Sequence, residues 1–203
     1  MVKQRSHWAS FFVVAILFTG IQDLARAGSI AEAPGEFIEK LADKAVAALT
    51  IDDISRVERV QRFRKLLNDH FDVKTIGRFV LGRYWRKASE EERAEFLMLF
   101  EDLIVDTYVD RFAKYSGENL SVTKTEAARN DDSIVFSSIN RPGGGPPVGV
   151  AWRLRLRNGS YLIIDVMVEG VSMGQTQRSE FASVIRRNGG EVKGLIAKLR
   201  DRN

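Results

Sequence analysis

The segment Tyr161 to Val168 (YLIIDVMV) carries apolar or β-branched side chains on both parities of the alternation. No other feature limits the fold as much, because a strand with two apolar faces must be covered on both sides, which predicts a central strand. Gly170 to Gly174 then breaks the run, and the apolar period changes from about 2 to about 3.6, so sheet passes into helix at this corner. A helix from about Gln175 to Arg187 turns Phe181, Val184 and Ile185 inward and stops at Asn188-Gly189-Gly190. A last helix follows with Val192, Leu195, Ile196 and Leu199 on its inner stripe and Lys198, Arg200 and Arg202 at its C-terminal end, where cations suit the helix dipole.

Upstream of the corner the period-2 pattern predicts strands at Leu120–Ala128, Ser133–Asn140, Val148–Arg157 and Tyr161–Glu169. Turn residues separate them at Asn130-Asp131, at the loop Pro142–Pro147 and at Asn158-Gly159, which gives an antiparallel meander. Val148 to Arg157 alternates cleanly, with Val148, Val150, Trp152, Leu154 and Leu156 on one face and Arg153, Arg155 and Arg157 on the other. One face is therefore core and the other is wet. Prolines without a donor and glycines that lose much entropy on ordering make Pro142–Pro147 a hairpin tip, with a flap over a pocket as the alternative.

The first half of the chain reads as helical. Glu36–Leu49 places Phe37, Leu41, Ala45 and Ala48 on one stripe, and Asp53–His70 does so with Val57, Val60, Phe63, Leu67 and Phe71, Thr50 and Asp52 being suitable caps between them. Arg56, Arg59, Arg62 and Lys65 form the opposite face of the second helix, either a solvated face or a dock for an acidic partner. Gly77 and Gly82 interrupt the aromatic stretch Phe71–Trp85, which predicts a close approach or a bend between short helical turns. Ser89 and Glu92 form a capping box for a helix running to about Tyr115, whose apolar residues exceed one stripe and so need burial on more than one side.

Lys3 and Arg5, the apolar run Trp8–Ile21 and Ala25-Arg26-Ala27 match the three regions of a secretory signal peptide. Cleavage after Ala27 leaves residues 28–203 as a single domain, large enough to bury a core without staples. The chain has no cysteine, which excludes disulfides, thiol catalysis and Cys-ligated metals. Removing Lys3, Arg5 and Arg26 against Asp23 lowers the formal charge from +4 to +2, too little to argue for a nucleic-acid partner.

After the leader His70 is the only histidine, best read as a surface or helix-end residue, and the spacings of a metal site, an activated serine or a phosphate-binding glycine loop are missing. Asp165 and Glu169 lie beside an apolar strand, where a lone carboxylate is costly; Arg178 or Arg153 is expected to neutralise them.

The segments FDVKTIGRFVLGRYWRKAS, LFEDLIVDTYVDRFAKYSGE, RPGGGPPVGVAWRLR and above all DVMVEGVSMGQTQRSEFASVIRRNGGEVKGLIAKLR resemble the toluene-tolerance family, the periplasmic phospholipid-binding shuttle proteins of MlaC type. The resemblance covers nearly all of the chain from Phe71 onward and is less distinctive before it. It implies an α+β fold in which a curved, NTF2-like antiparallel sheet is wrapped by helices and preceded by an N-terminal helical segment. It further implies a periplasmic, non-enzymatic carrier with no cofactor beyond bound phospholipid as cargo. Such a carrier exchanges lipid between an outer-membrane lipoprotein complex and an inner-membrane ABC transporter with a tethered lipid-binding ring, maintaining outer-membrane asymmetry.

On that reading the acyl chains enter between sheet and helices. The expected lining is Phe79, Val80, Tyr84, Trp85, Phe96, Phe100, Ile104, Tyr108, Trp152, Leu154, Ile163 and Val166. Three alternatives stay open: a hopanoid or other polycyclic cargo, an isomerase or dehydratase on the same kind of sheet with Asp165 and His70 as its candidates, and a protein-binding adaptor using the Arg56 to Lys65 face.

Overall fold

A computed structural model describes residues 33–202; the expected signal peptide and its cleavage site lie outside the described residues. The strands are β1 (Asn119–Ala127), β2 (Asp132–Asn140), β3 (Val148–Arg157), β4 (Ser160–Val168) and the short β5 (Val171–Ser172). They form one antiparallel sheet in chain order, the meander that the turn residues predict.

The expectation of a central position for Tyr161–Val168 is corrected: β4 has only the two-residue β5 beyond it. A bulge explains the misleading pattern. Arg153 pairs with Asp165 while the next residue, Leu154, pairs with Ile163, so Ile164 is the extra residue in β4. The bulge shifts the parity, so Ile163 and Val166 fall on the same face as Leu154 and Trp152. The remaining edge is covered by backbone: the amide of Asp72 donates to the Ile163 carbonyl at 3.0 Å, and Phe71 bridges Ile163 in parallel.

Six helices surround the sheet among the described residues: α1 (Pro34–Leu49), α2 (Arg56–His70), α3 (Val73–Leu81), α4 (Glu90–Phe112), α5 (Met173–Arg187) and α6 (Val192–Arg200). Thr50 ends α1, its hydroxyl donating to the Val46 carbonyl at 2.7 Å, and the N-cap of α2 is Ser55, which accepts from the Glu58 amide at 3.1 Å. The expected Asp52 cap is thus displaced to Ser55, because Asp53 adopts a left-handed turn (φ 61°) before the helix begins. Ser89 and Glu92 make both bonds of the capping box that opens α4, which stops at Phe112, about 35 Å from its start.

The two glycines of the aromatic stretch have different roles. A Cβ on Gly77 would sit 2.4 Å from Leu97 Cδ2, so Gly77 lets α3 close onto α4. Gly82 has φ 55° and turns α3 into the 3₁₀ helix Gly82–Arg86.

Two cores result. Between the helices, Val80, Leu81, Tyr84, Phe96, Phe100, Leu103, Phe181, Ile185, Leu195 and Leu199 are buried, with Phe181 set edge-on to both Phe96 and Phe100. Against the sheet, α1 brings Phe37 and Ile38 onto Val135, Leu154 and Ile163. Gly35 permits the close start of that contact, since a Cβ there would meet Val122 at 3.3 Å. Among the described residues no helix is long and apolar enough to cross a membrane.

Candidate functional site

Leu41, Ala42, Ala45, Val46 and Leu49 of α1 face a common space, and two of these five are alanines, whose methyl groups fill little of it. A cavity of about 490 Å³ remains between α1, Phe63, Leu66 and Leu67 of α2, Phe71, Phe112 at the end of α4, and Leu120, Ile139 and Trp152 on the inner face of the sheet. Its wall is almost wholly apolar. Trp152 can sit there because its indole N–H donates to Ser137 Oγ at 2.9 Å, and the buried Ser137 hydroxyl in turn donates to the Val150 carbonyl at 3.0 Å.

The polar lining residues, Asp43, Glu118 and Asn119, gather at one end, where Asp43, Ala47 and Asn119 are exposed and mark the mouth. The segment after α4 is tied down at this end. Tyr115 Oη donates to the Glu118 carbonyl at 3.0 Å, and the Glu118 carboxylate accepts from the Ser116 amide at 2.9 Å. That amide, then Glu118's own backbone N–H, hold the Glu118 carboxyl below its ordinary range, so a negative charge stands at the rim at neutral pH.

The expected lining residues are divided among the cavity, the two cores and the surface. Trp152 faces the cavity. Leu154, Ile163 and Val166 belong to the core between α1 and the sheet. Val80, Tyr84, Phe96 and Phe100 are buried in the inter-helix core, with Trp85 and Ile104 packed against it. Tyr108 is half-buried beneath the guanidinium of Arg111, and Phe79, outside that core, is 40% exposed. The structure does not bring these residues together around one cavity. The cavity instead uses α1 and α2, whose sequence signal is the alanine content of KAVAAL on an otherwise apolar stripe: small side chains on an inward face leave space.

The basic face of α2 is largely consumed within the fold. Arg56 pairs with Asp106 and Asp110, and Arg64 pairs with Glu101 and Asp102 at 2.7 Å each, all on α4. Arg59 and Arg62 donate to the Leu49 and Ala48 carbonyls, closing the end of α1, and Lys65 pairs with Asp69. All of these side chains but Lys65, whose partner is on the same helix, clamp α2 to its neighbours.

The expected partners of Asp165 and Glu169 are also corrected. Arg153 joins Arg155 on the buried Asp132, with contacts of 2.7 to 3.0 Å. Burial pushes the Asp132 carboxyl up, but hydrogen bonds from Arg155 and then Arg153 outweigh it and hold the group below the ordinary aspartate range. Asp165 accepts from the Ser172 hydroxyl at 2.6 Å and from the Val166 and Gly174 amides, so it organises the start of α5. Glu169, at φ 50°, accepts from the Gly149 amide.

His70 ends α2 with its ring edge-on to Phe37, centroids 5.8 Å apart. Burial, then the charges of Lys44 and Lys65, outweigh Asp69 and lower its pKa. No hydrogen bond or ion pair joins His70 to Asp165 among the described residues. No group of three His, Asp or Glu side chains among them is placed to hold a metal ion.

Comparison with known proteins places this geometry in context. The profile of the family described as MlaC protein matches residues 39–201. The intermembrane phospholipid transport system binding protein MlaC of Haemophilus influenzae is 23% identical over 206 residues, covering 97% of this chain and 92% of that protein. The toluene tolerance protein ttg2D of Pseudomonas putida is 23% identical over 133 residues, 65% of this chain and 61% of its own. Among solved structures, a phospholipid-binding protein from Ralstonia solanacearum, determined in complex with a phospholipid, has the same fold. It superposes with a TM-score of 0.74 at 24% identity, covering 84% of this chain and 97% of that one.

Proposed function

Because the chain belongs to the MlaC family, we propose that it is a periplasmic phospholipid carrier, exported by a signal peptide removed after Ala27, with residues 28–203 forming one lipid-binding domain. The observation that carries the proposal is the apolar cavity beneath α1. At about 30 Å³ for a water-sized group, its volume of about 490 Å³ takes about sixteen methylenes, the length of one acyl chain. Burying those methylenes at about 0.8 kcal/mol each gives about 13 kcal/mol, enough to hold a lipid that water rejects. A second chain requires the gap between α1 and the sheet to widen, which the alanines on this side of α1 favour and the packing of Phe37 and Ile38 on the sheet opposes.

Trp152 is the member of the expected lining that touches the chain, joined by Leu41, Ala45, Phe63, Phe71 and Phe112. The headgroup lies at the Asp43 and Asn119 mouth, where polar groups and solvent are available. In this reading the protein works by sheltering, with no covalent step. It passes its cargo between an outer-membrane lipoprotein complex and an inner-membrane ABC transporter with a tethered lipid-binding ring, supporting outer-membrane asymmetry.

The test is organic extraction and mass spectrometry of the protein purified from its own envelope. Phospholipid at about one per chain is expected. A polycyclic lipid in its place would change the cargo, and a lipid-free protein would end the carrier reading.

A further inference from the structure

Arg78 on α3, Arg83 and Arg86 on the 3₁₀ helix, and Arg178 on α5 surround a second, shallow cleft of about 450 Å³. Thr75, Phe79, Gly82 and Trp85 complete its wall. These arginines differ from most of those on α2, Arg59 excepted, and from those of the sheet. Arg56, Arg62, Arg64, Arg153 and Arg155 all meet carboxylates. Among the described residues, the cleft arginines contact only uncharged groups: Arg83 donates to Tyr84 Oη at 2.9 Å, and Arg178 lies 5.1 Å above the Phe79 ring. The hydrogen bond from Arg83, helped by the charges of Arg83, Arg186 and Lys87, outweighs burial and holds the Tyr84 phenol below the usual tyrosine range.

The cleft is built, too. Gly82 makes room for a guanidinium, because a Cβ there would stand 2.9 Å from Arg178 Nε, and Arg178 is itself half-buried. Arginine forks match carboxylates bidentately, and an exposed aromatic rimmed by arginines is the composition of a protein-binding hot spot. Phe79, 40% exposed, is that aromatic.

We propose that this cleft docks an acidic segment of a partner protein, carboxylates on Arg78, Arg83, Arg86 and Arg178 with an apolar side chain against Phe79. A concave site between helices admits a chain segment, whereas a flat anionic bilayer reaches only its rim. The cleft and the apolar cavity share no lining residue, so the inference stands apart from the carrier reading.

The full chain is titrated by fluorescence anisotropy with a labelled peptide alternating Glu with Leu and Phe, with the same peptide carrying Lys for Glu, and by co-sedimentation with phosphatidylglycerol vesicles. The acidic peptide binds, the lysine peptide does not, and binding weakens as salt rises. Arg78→Glu/Arg178→Glu weakens it by about tenfold or more, whereas Arg129→Glu/Arg141→Glu, the same charge change at exposed arginines elsewhere, does not. Should the first pair fail to fold, Arg83→Ala/Arg86→Ala, both exposed, takes its place. Absence of peptide binding, equal loss in both pairs, or binding to vesicles alone overturns the proposal. Lipid content, measured on the same samples, reports on the carrier reading separately.

Discussion

Ala45 offers the sharpest test of the cavity. It is half-buried on the face of α1 that lines the void. Ala45→Phe directs a benzyl ring into that space. Six ring carbons occupy roughly the room of five methylenes, and each methylene displaced back to water costs about 0.8 kcal/mol, so about 4 kcal/mol of acyl-chain binding is lost. At about 1.4 kcal/mol per decade this is close to a thousandfold in affinity. Phospholipid recovered per chain, counted by phosphorus assay and mass spectrometry, falls from about one to about a tenth or less. The fold survives, because the ring enters a void rather than a filled core, and the thermal midpoint of lipid-free protein is unchanged or higher. Phe79→Ala, on the other cleft, leaves the lipid count as it was. Unchanged lipid in a well-folded Ala45→Phe protein refutes the assignment of the site, and loss of the native circular dichroism shows that α1 lies closer to the sheet than the cavity requires.

Asp132→Asn removes the charge shared by Arg153 and Arg155 and is expected to destabilise the sheet by about 2 kcal/mol at neutral pH. Since the folded pKa of Asp132 is depressed, its contribution is fully present above the unfolded value of about 3.9 and is lost as pH falls through the folded one. Urea unfolding at pH 7 and in acid should therefore show the gap between wild type and variant closing. His70 also has a depressed pKa, with Lys44 on α1 and Asp69 and Lys65 on α2 as the charges facing it. Its contribution is complete above about pH 6.5 and declines as pH falls through the folded value, so His70→Phe flattens the stability profile between about pH 7 and pH 5. Ser89→Ala, which breaks the capping box of α4, costs about 1 kcal/mol in the same assay.

Local rules carried most of the fold. The capping box, the Asn188-Gly189-Gly190 stop, the tight turns of the meander and the left-handed bend at Gly82 depend on neighbours within a few residues, and each stands in the structure where the sequence places it. Family membership was legible for a related reason: long stretches after Phe71 keep the residue pattern of the family. Errors arose where a distant partner decides the outcome. The double-faced pattern of β4 is produced by a bulge against β3, and a bulge depends on register with another strand. Arg153 and Asp165 are opposite one another in that register, yet Arg153 turns to the buried Asp132, where two guanidiniums can be shared.

Apolar periodicity determined which faces turn inward, because exposing them to water is unfavourable whatever their partner. It did not determine what lies opposite. Whether an inward face meets another side chain or an open space depends on the distance between elements, and that distance is set by contacts remote in sequence. Phe96 and Ala45 both lie on inward stripes, but α5 brings Phe181 onto the first, while the sheet stands too far from the second for a methyl group to reach. The tertiary structure alone separates a packed interior from a chamber.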